Sequence, residues 1–157
     1  GNMYTGNYLR TEGTNGVLNF GKQFTQRPTR LKGYFKYTSV EINKSNDEMK
    51  YLIGQPDTCQ IFIALGDWSE PVEIRTKPSD RKLFDKNDPH IIAYADMYSG
   101  KSVTEYTPFT LELEYRDTDR IPTYIVVVAS ASKYGDYFTG GDGSVLFLDD
   151  FTLEYDY

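Results

Sequence analysis

Phe109-Thr110-Leu111-Glu112-Leu113-Glu114-Tyr115 alternates apolar and polar residues without a break. Side chains along a strand point to opposite faces in turn. Phe109, Leu111, Leu113 and Tyr115 therefore share one face, and Thr110, Glu112, Glu114 and the following Arg116 share the other. A segment of this kind is a strand with one face on a core and one toward solvent or a groove. Outward from it, Tyr124-Ile-Val-Val-Val-Ala-Ser130 is apolar on both faces, as a central strand is, and Cys59 to Leu65 reads the same way. In Leu31 to Tyr37, Leu31, Gly33, Phe35 and Tyr37 lie opposite Lys32, Tyr34 and Lys36. Ile91 to Tyr98 groups Ile92, Tyr94, Asp96 and Tyr98. Val145–Leu148 and Phe151–Tyr155 flank Asp149-Asp150, where a bulge would re-phase the alternation. Weaker strands are expected at Tyr4–Leu9, Val17–Phe20 and Val72–Ile74.

About nine strands separated by Gly-, Pro-, Asn- and Asp-rich turns predict an all-β fold, a two-sheet jelly-roll β-sandwich. One domain over residues 1–157 accounts for the whole chain, with no internal repeat and no linker. Only Asp47 to Ile53 has helical character, a turn or two at most. Two polar connections are long, Asn43 to Thr58 and Arg75 to Pro89, and loops of that length are often functional.

At this length a chain buries roughly 70% of its unfolded surface and needs no disulfide or metal to hold a core. The net charge of −6 and pI of about 4.8 argue against nucleic acid or an anionic membrane as partner. No apolar run is long enough for a membrane-spanning helix. The lone Cys59 sits in an apolar run and is expected to be a buried thiol. The start Gly1-Asn2-Met3 suggests a domain excised from a longer protein.

No nucleophile elbow, zinc-protease helix, phosphate loop or paired-cysteine motif is present. Glycosidases need only two suitably spaced carboxylates, so the 23 Asp and Glu leave that chemistry open. Glu112 and Glu114 share a strand face, but such pairs are usually a solvated surface. Aromatic surfaces carry more. A pyranose stacks its C–H face on Trp or Tyr and hydrogen-bonds its hydroxyls to Asp, Asn, Gln, Lys or Arg. Asp67-Trp68 follows a buried strand and would make a platform beside an acid, unless the indole plugs the core. Tyr34 with Lys36, and Tyr94 with Asp96 and Tyr98, would line a sheet face. These seven residues are the candidate carbohydrate-binding set. No cofactor is expected beyond a structural calcium, for which Asp150 is the candidate ligand. Gly140-Gly141-Asp142-Gly143 is expected to shape a tight loop, with Tyr134 and Tyr137 packing it.

The run from Ala129 through Lys133-Tyr-Gly-Asp-Tyr-Phe-Thr-Gly-Gly-Asp-Gly-Ser-Val-Leu-Phe-Leu-Asp-Asp-Phe-Thr-Leu-Glu-Tyr155 closely resembles the signature of the putative carbohydrate metabolism domain of Bacteroides-type gut bacteria. Leu18–Phe24, Arg27–Tyr37, Asp57–Ile63, Tyr115-Arg116 and Pro122–Val127 resemble the same family. The resemblance implies a jelly roll similar to carbohydrate-binding modules, sited at the C-terminus of an exported cell-envelope protein. The function expected from it is non-catalytic binding of a poly- or oligosaccharide by a monomer. A glycoside hydrolase with a carboxylate pair is the first alternative, and a structural or adhesive module docking a neighbouring domain is the second.

Overall fold

The computed structural model describes residues 1–156. Twelve strands are arranged in three antiparallel sheets. The large sheet has the order β1 (Asn2–Tyr4), β11 (Tyr124–Ser130), β6 (Cys59–Gly66), β8 (Ile91–Ser99), β10 (Glu114–Tyr115), and β4 (Lys22–Gln23) also pairs with β11. A second sheet has the order β12 (Val145–Glu154), β5 (Arg30–Thr38), β9 (Val103–Glu112). These two form the expected sandwich. Consecutive strands pass between them, β5 to β6, β8 to β9 and β11 to β12, as in a jelly roll. Leu31, Phe35, Tyr37, Phe109 and Leu111 from the smaller sheet pack on Cys59, Ile61, Ile63, Leu65 and Val127 from the larger. Cys59 is fully buried, and burial pushes its thiol up to about 11.

A third sheet, β2 (Gly6–Glu12), β3 (Asn15–Phe20), β7 (Val72–Arg75), covers part of the large sheet's other face. Phe20, Phe62, Ala64, Trp68, Ile74 and Val126 fill that second core. This explains why β6 and β11 are apolar on both faces. The expected strand Tyr4–Leu9 is divided between the first and third sheets. Gly6 makes the division close-fitting, since a Cβ there would lie 1.9 Å from the Asn19 carbonyl oxygen.

Two expected strands change at a single residue. The alternating run from Phe109 to Tyr115 leaves the second sheet after Glu112 and joins the large sheet at Glu114. Leu113 stays buried at the crossing, and its N–H donates to the Thr29 carbonyl (2.9 Å). The C-terminal segment is one strand with the expected bulge. Asp149 pairs with Tyr34 and Thr152 with Lys32, so three steps on β12 match two on β5. The extra residue reverses the parity, and Leu146, Leu148, Phe151 and Leu153 all reach the same core.

Candidate functional site

The third sheet leaves part of the large sheet's outer face uncovered. There Gln60 and Phe62 of β6, Tyr94 and Tyr98 of β8, and Val128 and Ser130 of β11 floor a cleft of about 510 Å³. One wall is the Leu83–Asn87 stretch of the long loop after β7, and the other is Ser132–Tyr137. The volume lies within the roughly 300–1,000 Å³ usual for small-molecule sites.

The strand period places the tyrosines. Tyr94, Asp96 and Tyr98 project from one face of β8, opposite Ala64, Phe62 and Gln60 of β6. The Tyr94 hydroxyl donates to Asp96 Oδ2 (3.1 Å), and the Tyr98 hydroxyl donates to the same oxygen (3.4 Å). Gln60 Nε2 donates to the Tyr98 hydroxyl (3.2 Å). Burial first, and then the Asp96 charge, raises both phenols above their ordinary range, so they remain neutral donors. Lys133 lies with Nζ 4.7 Å from the Tyr98 ring centre and 5.1 Å from that of Tyr134. Phe84 stacks on Phe62 at 5.2 Å and closes the apolar end. Rings and hydrogen-bonding groups therefore alternate around one concavity.

The other sequence candidates lie elsewhere. Trp68 is only 7% exposed and plugs the second core against Phe84, so it is a buried plug with no open ring face. Its indole lies directly on Gly66, where a Cβ would meet the ring at 2.3 Å, and Nε1 donates to Asp88 Oδ2 (3.1 Å). Asp67 is outside the cleft lining and accepts from His90 Nδ1 (2.9 Å) and Arg120 Nη1 (3.0 Å). Burial alone would raise its carboxyl, but these two partners outweigh it and hold the group below its ordinary range. Tyr34 and Lys36 face away from the cleft, on the outer side of the second sheet. Lys36 Nζ sits there 4.5 Å from the Phe147 ring centre and 5.1 Å from that of Tyr106.

Asp150 occupies the bulge with φ 56, in the left-handed region. Among the described residues no group of three or more His, Cys, Asp or Glu is placed to hold a metal ion.

The loop residues of the walls were not among the sequence candidates. Tyr134 and Tyr137, expected only to pack the glycine loop, line the cleft together with Lys133 and Asp136. Buried Asp57 anchors this loop, accepting from Ser132 Oγ (2.6 Å) and Gly141 N (2.9 Å) as well as from Thr58 N (2.9 Å). The length of the loop after β7 was the visible signal. The wall residues carry no sequence period of their own.

The putative carbohydrate metabolism domain matches residues 1–154. The fold is similar to the crystal structure of a putative glycoside hydrolase from Bacteroides thetaiotaomicron VPI-5482, with a TM-score of 0.67 and 22% identity over 91% of this chain and 47% of that one. It is similar also to a putative glycoside hydrolase from Bacteroides vulgatus ATCC 8482, with a TM-score of 0.68 and 22% identity over 90% of this chain and 63% of that one. The chain thus spans about half to three-fifths of the solved structures it matches. No curated protein matches the sequence.

Proposed function

The chain belongs to the putative carbohydrate metabolism domain family, and from that premise we propose that its cleft binds an oligosaccharide without cleaving it. The observation that carries this is the Tyr94–Asp96–Tyr98 row in a concavity walled by Phe84, Lys133, Tyr134 and Tyr137. Ring faces supply stacking for C–H surfaces, and the oxygens of two fixed phenols accept from sugar hydroxyls. The wall loops supply the remaining polar contacts. Binding in the micromolar-to-millimolar range is expected, as suits a shallow site that must release polymer. Titration calorimetry against a broad glycan panel tests it. At least one oligosaccharide should bind, and replacing Tyr94 and Tyr98 together by Ala should abolish the heat while the fold survives. A panel without a single binder overturns the proposal.

A hydrolase is the second reading, favoured by two carboxylates, Asp85 and Asp136, in the same lining. It predicts release of new reducing ends from the bound oligosaccharide, lost in Asp136→Asn. Binding with no product over long incubation removes it. We further propose that the domain acts as a monomer within an exported cell-envelope protein. No helix among the described residues is long and apolar enough to cross a membrane. Fractionation of the native host protein decides the location, with recovery in the cytosol as the contrary result.

A further inference from the structure

At one cleft wall, half-buried Asp136 in the lining and Arg81 behind it keep polar atoms without a hydrogen-bond partner among the described residues. Arg81 Nη1 donates to Glu48 Oε1 (2.9 Å), and its guanidinium carbon lies 4.3 Å from the Tyr137 ring centre. One side chain thereby ties the loops around residues 43–58, 76–90 and 131–144. Its Nε and Nη2, the edge that grips paired oxygens, are buried without a hydrogen-bond partner among the described residues.

Asp136 is the neighbouring group. It lines the cleft on the short turn Gly135–Tyr137 and feels the Arg81 charge, yet makes no hydrogen bond among the described residues. Burial lifts its carboxyl above the ordinary range, and Arg81 opposes that lift. Phe138 closes the turn at φ 53, a left-handed conformation that a bulky side chain rarely adopts. Strain of that kind concentrates at functional turns.

A half-buried carboxylate that lines a cleft with no protein partner is open to a ligand's donors. A sugar hydroxyl fits. It donates to a carboxylate oxygen, while its own oxygen stays able to accept. A ligand carboxylate fits less well, because a second negative charge beside Asp136 is repelled. Lys133 on the same wall would favour an acidic sugar, but its ammonium already rests on Tyr98 and Tyr134.

We propose that Asp136 is the specificity-determining residue of the cleft, accepting hydrogen bonds from hydroxyls of a neutral sugar while Arg81 fixes its turn from behind. The proposal rests on the carbohydrate reading of the cleft. Its test is calorimetry of the intact domain with manno-, xylo-, cello- and galacto-oligosaccharides and with oligogalacturonate. A neutral oligosaccharide should bind best. Asp136→Ala should weaken it at least about tenfold, and Asp136→Asn less, since the carboxamide keeps one acceptor oxygen. The carboxyl 13C resonance of Asp136 in the unmutated domain should move when that sugar is added, a readout independent of how the variants fold. Unchanged affinity in both variants with a stationary resonance overturns the proposal and leaves the cleft a glycan site. A preference for oligogalacturonate does the same. No binding to any of these sugars overturns both the proposal and the reading beneath it.

Discussion

Tyr98 and Trp68 were both candidates for stacking a sugar, and packing separates them. Tyr98 is 43% exposed and keeps its ring in the cleft, while Trp68 is sealed between Gly66 and Phe84. Their substitutions should therefore differ in kind. Trp68→Ala should cost about 3–5 kcal/mol of stability, as large core truncations do, seen as a lower urea midpoint. Tyr98→Ala should leave that midpoint nearly unchanged and weaken glycan binding. Equal midpoints for the two variants would contradict the burial assignment. The β8 triad was legible because a strand's period alone aligns Tyr94, Asp96 and Tyr98. The fate of Trp68 was not, because it depends on Phe84, which a long loop brings across from outside any periodic segment.

Among the elements, the strands followed from alternation and their ends did not. The bulge at Asp149-Asp150 was visible because apolar parity reverses across it. The departure of the chain from one sheet to the other at Leu113 leaves no such mark, since parity is kept and only the hydrogen-bonding partner changes. The loops that wall the cleft were visible as length alone. Buried Asp57 ties both ends of Ser132–Gly141 to the body of the fold, accepting from Ser132 Oγ and Gly141 N as well as from Thr58 N. Asp57→Ala strands those donors and should cost about 1–3 kcal/mol. Amide exchange should accelerate in residues 131–144 first and leave β6 and β11 protected. Uniform acceleration across the sheets would show that Asp57 supports the whole fold, with no special tie to the loop.

For the whole molecule, the third sheet matters most. It covers part of the large sheet's outer face, and the cleft opens beside it, with Phe20 of the third sheet at its edge. Ion pairing at the sheet's end adds a pH dependence. His90 and Arg120 hold the Asp67 carboxyl below its ordinary range despite its burial. The folded state then binds this proton less readily than the unfolded chain. The stabilisation is complete above the ordinary carboxylate pKa of about 4 and is lost as pH falls through the lower folded value. Melting temperatures measured from pH 7 to pH 3 should show unmutated protein above Asp67→Asn at neutral pH, with the gap closing in acid. A gap that widens in acid would reverse the sign assigned to Asp67.

We propose that carbohydrate meets this domain in the cleft on the outer face of the large sheet. Heteronuclear NMR of the labelled domain, titrated with the oligosaccharide that binds, locates the contact residue by residue. Shifts should concentrate at Gln60, Tyr94, Tyr98 and Lys133 to Tyr137. Shifts gathered instead around Tyr34, Lys36, Tyr106 and Phe147, on the opposite side of the sandwich, would contradict it.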